Sequence, residues 1–196
     1  MKSVPVQSAW ALWFRFRKEA LRSWWLRISL IRRGVYIGEG ARIPGGGTLS
    51  FMPSASVQRH SVLNARRGAT IHLGHRSRIG ANAVISAVGS IRIGDDVLIA
   101  DRVFIADHHH GHADPDRAVI DQGASSAEPV LIDDGCWLGI NVCVMPGVTL
   151  GPGCIVGAGS VVTRSFPARC ILAGAPARQI GRRDAIGDRT NLDESP

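Results

Sequence analysis

A repeat of six residues between Ile132 and Pro167 restricts the fold of this chain more than any other feature. Cut into blocks of six, the stretch reads IDDGCW, LGINVC, VMPGVT, LGPGCI, VGAGSV and VTRSFP. Each block begins with Ile, Leu or Val, and the fifth position holds mostly small or β-branched residues. Strands repeat every two residues and α-helices every 3.6. A period of six is instead typical of a parallel β-helix.

The period also predicts how the coils stack. Three six-residue segments close a triangular coil of about 18 residues, and successive coils lie about 4.8 Å apart. The aliphatic residue that begins each block points inward, so Ile132 should stack on Leu150. Cys136 and Cys154 are likewise one coil apart. We expect two small buried thiols there rather than a disulfide, because no signal peptide is recognisable and a reducing cytoplasm is therefore predicted.

The same rhythm divides the chain into three parts. It is ragged from Val35 to Thr70, clean from Leu73, and interrupted after His110 until about Val130. We predict an N-terminal arm over residues 1–34, a β-helix domain over 35–181 with a long loop at 111–129, and a polar tail over 182–196. A long loop on a rigid scaffold is where binding and catalytic residues often lie.

The N-terminal arm carries all of the net charge. Residues 1–33 hold eight basic side chains against Glu19, which equals the whole formal charge of +7. Apolar residues within 8–33 follow the spacing of an amphipathic helix, and four of the five tryptophans lie among them. This helix either binds a membrane surface at the inner face or packs on the protein. The density of arginine excludes a transmembrane span, and nothing outside the arm suggests nucleic-acid binding.

Four histidines mark the start of the loop: His108, His109, His110 and His112. A metal site is one interpretation, but no cysteine or glutamate pattern accompanies the cluster, and neighbouring side chains on an extended chain point in opposite directions. We therefore predict no metal. The other interpretations are a solvated turn and a single general base, since histidine titrates near neutral pH.

Several motifs resemble the left-handed β-helix hexapeptide acyltransferases, particularly the maltose, galactoside and Nod-factor O-acetyltransferase group. Within that group the chain looks most like enzymes that O-acetylate bacterial surface polysaccharides. The resemblance covers about residues 70–181. It rests on Ile93-Gly94-Asp95, Cys136-Trp137-Leu138-Gly139, Met145-Pro146-Gly147-Val148-Thr149-Leu150-Gly151, Gly157-Ala158-Gly159-Ser160-Val161-Val162-Thr163 and Gly174-Ala175-Pro176-Ala177.

The resemblance implies an all-β, left-handed β-helix, a homotrimer with sites between subunits, and acetyl-CoA as co-substrate. The family's catalytic histidine falls five residues after the aliphatic residue that begins its block, which from Ile105 gives His110, with His108 as the alternative base. Whether a carboxylate or a carbonyl orients the second ring nitrogen of that base stays open, and Asp107 and Asp114 are the carboxylates near it in the sequence. Carried over by position, the expected contacts to CoA are Trp137, Gly139, Ile140, Ala158, Thr163, Arg164 and Arg178.

The acceptor departs from the family pattern. The sugar-binding Asn and Asp of the galactoside enzymes correspond here to Gly80 and Val88, which cannot bind a sugar in the same way. We therefore expect a hydroxyl of a cell-surface polysaccharide or its lipid-linked precursor as acceptor. An enzyme that acetylates antibiotics or other small molecules, and a non-catalytic or metal-binding β-helix trimer, are the alternatives.

Overall fold

The computed structural model describes residues 34–184. The helix predicted over residues 8–33 and the tail beyond residue 184 lie outside this range. Within it the chain forms strands and one short 3-10 helix, Val119–Asp121. The strands are β1 (Tyr36–Ile37), β2 (Thr48–Phe51), β3 (Ser56–Val57), β4 (Val62–Ala65), β5 (Thr70–Leu73), β6 (Arg78–Ile79), β7 (Val84–Ala87), β8 (Ser90–Ile93), β9 (Leu98–Ile99), β10 (Phe104–Ala106), β11 (Val130–Ile132), β12 (Trp137–Leu138), β13 (Cys143–Val144), β14 (Thr149–Leu150), β15 (Ile155–Val156), β16 (Val161–Val162), β17 (Cys170–Gly174) and β18 (Ala177–Arg182).

The strands build three sheets that form the sides of a triangular prism. Sheet A has the order β1-β3-β6-β9-β12-β15-β17-β18, sheet B the order β16-β13-β10-β7-β4, and sheet C the order β14-β11-β8-β5-β2. From β1 to β17, successive strands along the chain belong to different sheets, whereas β17 and β18 are neighbours in sheet A. Every pair except β17 with β18 is parallel. The parallel β-helix predicted from the six-residue period is therefore confirmed.

The coils differ in length more than the ideal repeat suggests. Ile132 pairs with Leu150, as predicted, in a coil of 18 residues. Earlier coils are longer: Tyr36 pairs with Ser56, and Ser56 with Arg78. These steps of 20 and 22 residues replace the expected 18 because strands in sheets B and C have four residues there and turns such as 66–69 join them.

The core is a set of aliphatic columns. Ile85, Ile105 and Val144 occupy neighbouring strands of sheet B in register, and all three are fully buried. Columns of this kind hold the coils together by continuous burial of apolar surface, because each coil alone cannot cover its inner face.

Three buried cysteines form a column at the corner between sheets C and A. The register of β12, β15 and β17 stacks Cys136, Cys154 and Cys170, and all are free thiols. The pKa of Cys136 is raised, first by its side-chain interaction with Cys154 and then by burial. Burial also raises the pKa of Cys170. The predicted stacking of Cys136 and Cys154 is thus present, and these thiols act as small core residues.

The C-terminal end of the prism is closed by a hairpin. Strand β18 runs antiparallel to β17 and pairs Gly174 with Ala177 beside the turn. This antiparallel strand occupies the C-terminal edge of sheet A and blocks further parallel stacking at that edge. Among residues 34–184, no helix is long and apolar enough to cross a bilayer.

Candidate active site

The histidine segment begins where strand β10 ends. In the alternation of that strand, Val103, Ile105 and Asp107 point inward, so a carboxylate occupies a core position and is fully buried. It accepts hydrogen bonds from the backbone N–H groups of Val88 (2.9 Å) and Gly89 (2.8 Å) on the preceding coil. Each carboxylate oxygen thus accepts one backbone hydrogen bond. Asp107 therefore fixes the start of the loop to the scaffold.

His108 is the histidine that this carboxylate holds. Its Nδ1 lies 3.0 Å from Oδ1 of Asp107, and its side chain is 13% exposed. Because both oxygens of Asp107 act as acceptors, we assign the proton of this contact to Nδ1 of His108, which leaves Nε2 as the acceptor nitrogen. Asp114, the other carboxylate considered above, instead caps Asp116 N inside the loop. Among the described residues, no carboxylate hydrogen-bonds to the ring of His110.

The loop returns along its own first residues. Ser125 N donates to His109 O (2.9 Å), Gly111 N donates to Gly123 O (2.9 Å), and His110 forms a bridge with Ala124. The C-terminal end of the loop is hydrogen-bonded to its start, since Glu128 N donates to Asp107 O at 2.7 Å. The loop is thus a folded hairpin whose closed base carries the histidines.

Two grooves meet at His110. The strand groove, of about 350 Å³, is lined by mostly apolar residues of sheet B, by the corner that follows this sheet, and by three of the four histidines. Its members are Val84, Ser86, Phe104, Ala106, His108, His109, His110, Met145 and Pro146. The loop groove, of about 570 Å³, lies on the other side of His110 and is lined by Arg66, Val119, Ile120, Gly123 and Ala124. An exposed imidazole at this junction can reach molecules in both grooves.

Three of the residues predicted to contact CoA lie at the corner between sheets A and B: Gly139, Ile140 and Ala158. Gly139 N donates to Val156 O, and Gly159 N donates to Ile140 O, both at 2.8 Å. A Cβ on Gly139 would lie 2.7 Å from Ala158 N, so the two coils approach closely here only because residue 139 is glycine. The result is a smooth, backbone-lined corner that suits an extended pantetheine chain.

The other predicted contacts lie elsewhere. Thr163 and Arg164 are exposed at the corner between sheets B and C, where the guanidinium of Arg164 lies 5.0 Å from the centre of the Phe166 ring. Trp137 projects from sheet A and is 48% exposed, and Arg178 is exposed on β18. The predicted residues therefore do not form one cleft within a single chain.

The separation of the two corners can be estimated from the chain. Ile140 and Met145 lie at the two ends of one side of the triangle, where the turn at Asn141 (φ 59°) precedes β13. At about 3.3 Å per residue, the five steps between them span at most about 16 Å. The histidines and the corner formed by Gly139, Ile140 and Ala158 thus lie at opposite edges of sheet B.

The burial of Asp107 and the place of Arg66 beside the loop were not predicted from the sequence. The signal for Asp107 was available, since it continues the inward alternation of Val103 and Ile105. Arg66 gave no signal, because its place beside the loop depends on stacking between coils. Within residues 34–184, no group of His, Cys, Asp or Glu is arranged to hold a metal ion.

Comparison with known proteins identifies the repeats. The protein-family model described as bacterial transferase hexapeptide (six repeats) matches residues 129–164. A second family model, the hexapeptide repeat of succinyl-transferase, matches residues 70–105. The chain is 43% identical over 102 residues to the putative lipopolysaccharide biosynthesis O-acetyl transferase WbbJ of Escherichia coli, covering 49% of this chain and 52% of that protein.

Two further relatives extend over more of the chain. A probable acetyltransferase of Mycobacterium tuberculosis is 31% identical, with 93% of this chain and 62% of that protein covered. A structure of galactoside acetyltransferase in complex with coenzyme A superimposes with a TM-score of 0.59 at 27% identity, covering 86% of this chain and 75% of the other. The chain thus spans about half to three fifths of the length of the curated relatives it matches first.

Proposed function

The chain carries the hexapeptide-repeat transferase domain, and on that premise we propose that it is an acetyl-CoA-dependent O-acetyltransferase. Its acceptor is a sugar hydroxyl of a cell-surface polysaccharide or of the lipid-linked precursor. The observation that carries this proposal is the position of His110 at the junction of two grooves. Relatives named as O-acetyltransferases, one of them for lipopolysaccharide biosynthesis, support the same reaction class.

In this mechanism His110 is the general base. The neutral imidazole takes the proton of the sugar hydroxyl while that oxygen forms a bond to the thioester carbonyl carbon. When the carbon–sulfur bond breaks, the imidazolium gives the same proton to the leaving thiolate, so no acyl-enzyme is needed. His108, held by Asp107, is the alternative base because its free Nε2 faces the strand groove.

The negative charge that develops on the carbonyl oxygen needs a preorganised donor. The N–H of Gly139 is already bonded to Val156 O and cannot supply it. The N–H of Ile140 is not used by the hydrogen bonds of residues 34–184, so Ile140 is the donor we propose. For the phosphates of acetyl-CoA we propose the exposed guanidinium groups of Arg164 and Arg178. Thr163 and Trp137 complete the proposed contact set.

The placement of the two corners at opposite edges of sheet B supports a site shared between subunits. One protomer supplies His110, and its neighbour supplies the corner with Ile140 and Ala158. A ring of three copies closes such head-to-tail contacts and gives three equal sites. The homotrimer is thus part of the proposal.

Mixed assemblies test the shared site directly. His110→Ala removes the base, and Ala158→Glu places charge and bulk in the proposed CoA corner. If sites are shared, co-expression of the two inactive variants restores about a quarter of wild-type activity, since each site then has a one-in-four chance of two intact halves. A site within one chain would remain inactive in every mixture.

The reaction itself is tested by thiol release from acetyl-CoA with a panel of glycan acceptors. His110→Ala should reduce kcat by about a hundredfold to ten-thousandfold. His75→Ala, at a distant corner, is the matched control and should retain wild-type kcat. Full activity in His110→Ala together with loss in His108→Ala would move the base to His108, and full activity in both would refute the mechanism.

We also propose that residues 8–33 hold the enzyme at an anionic membrane surface, where a lipid-linked acceptor would lie. Seven basic residues interleaved with tryptophans in this segment support this contact. Protein lacking residues 1–33 should no longer sediment with vesicles containing anionic lipid, whereas the full chain should. Equal sedimentation of both forms would contradict the proposal.

A further inference from the structure

We propose that Arg66 selects acceptors that carry a negative charge, a carboxylate or a phosphate group, beside the hydroxyl that is acetylated. This inference rests on the proposed function and specifies its acceptor. The loop groove would hold the acidic sugar, and the strand groove would admit the thioester, with His110 between them.

The backbone of Arg66 is firmly held. Arg66 follows directly after strand β4, its N–H donates to Ala87 O (2.9 Å), and its carbonyl accepts from Ala69 N (2.8 Å). The residue stacked above it is Val88, whose N–H binds Asp107 at the start of the histidine segment. Arg66, Val88 and the histidine segment therefore occupy three successive levels of one corner, and the side of this corner with Arg66 lines the loop groove.

The charge of Arg66 is available for a ligand. No ion pair among residues 34–184 involves Arg66, and no carboxylate lines the loop groove. The remaining wall consists of Val119, Ile120, Gly123 and Ala124. Arg66 is exposed, so a ligand can reach its guanidinium from solvent. A ligand seated between Arg66 and this apolar wall would exclude part of that water, which strengthens the pairing of the two charges.

The opposite wall suits a sugar ring. Val119 is 50% exposed and Ile120 is 87% exposed, although both are large aliphatic residues. They belong to the 3-10 helix of the loop. Directly after this helix, Gln122 donates a hydrogen bond through Nε2 to Arg117 O (2.8 Å), which links the two ends of the helix. Apolar walls with a few convergent polar groups are typical of binding sites for small molecules. Here the apolar wall would contact the C–H face of a pyranose while Arg66 pairs with its anionic substituent.

Matched acceptors test the inference. Methyl β-glucoside and methyl β-glucuronide differ only at C6, where a carboxylate replaces the hydroxymethyl group, and glucose 1-phosphate keeps the hydroxymethyl group and presents a phosphate instead. Each is assayed with acetyl-CoA and full-length protein for kcat and KM. We expect a lower KM for whichever acidic sugar is used, and Arg66→Gln should raise that KM about tenfold, the loss of one charge-assisted hydrogen bond. The KM for methyl β-glucoside should change less than twofold.

Arg67→Gln is the matched control. Arg67 lies next in the chain but packs over Gly46 and does not line the loop groove. The same change of charge there should leave the preference for acidic sugars intact. An equal effect of both substitutions would mean that general surface charge, and not a site at Arg66, attracts the acceptor.

The outcomes separate this inference from the proposed function. If wild-type protein acetylates neutral and acidic sugars equally and Arg66→Gln alters neither KM, the inference is wrong while the acetyltransferase stands. If Arg66→Gln changes the oligomeric state in light scattering and not KM, the groove holds another copy of the chain. If no acceptor releases thiol from acetyl-CoA, both the function and the inference are refuted.

Discussion

Replacement of Asp107 by alanine should destabilise the protein far more than replacement of any surface carboxylate. The fully buried carboxylate accepts hydrogen bonds from Val88 N, Gly89 N and His108 Nδ1. A hydrogen bond to a charged group contributes about 1.5–3 kcal/mol net, and the two backbone groups are half-buried, so water replaces part of the loss. We therefore expect the free energy of unfolding to fall by about 4 kcal/mol for Asp107→Ala.

Asp101→Ala provides the matched control. Asp101 also occupies a corner and accepts one backbone hydrogen bond, from Ala81 N at 2.8 Å, but it is exposed and remote from the histidines. Its loss should cost about 1 kcal/mol. Asp107→Asn should fall between the two, because the amide oxygen still accepts one bond while the NH₂ group faces an N–H donor.

The assay is urea denaturation followed by circular dichroism at one fixed protein concentration, since assembly would otherwise shift the midpoint. Acetyl transfer measured below the unfolding transition separates stability from catalysis. Asp107→Ala should also lose activity there, because the histidine segment is no longer fixed to the coil. Equal unfolding free energies for Asp107→Ala and Asp101→Ala would show that the buried carboxylate does not hold the loop.

Three further predictions concern the scaffold. Ile105→Ala should reduce the free energy of unfolding by about 2–5 kcal/mol in the same assay, since the side chain is fully buried and a cavity remains. Gly94→Ala should cost about 1–3 kcal/mol, because its Cβ would lie 2.9 Å from Asp134 N, and an unchanged midpoint would contradict this. The pKa of His72 is lowered, first by burial and then by Arg92. Protonation of His72 therefore opposes folding, so stability should fall as the pH drops through the ordinary value of 6.5, and His72→Gln should flatten that slope in acid titrations.

The architecture could be predicted from the sequence because a β-helix is a local code. Each six-residue block places one aliphatic residue inward, so the pairing of Ile132 with Leu150 follows from counting. The stacking of Cys136 on Cys154 follows in the same way. Coil lengths in the first half were not predictable, because extra residues in corners do not disturb the inward pattern and leave no periodic signal.

The candidate site was only partly predictable, because it depends on contacts between coils. Motif positions identified the histidine segment and the residues expected to contact CoA, but they gave no distances among them. Only the tertiary structure shows that Asp107 is bound to the coil below and that Ile140 lies at the edge of sheet B opposite the histidines. Only stacking brings Arg66 to the same groove as His110. The physical reason is that the sequence specifies which residues face inward, whereas the stacking of coils of unequal length decides which corner residues become neighbours.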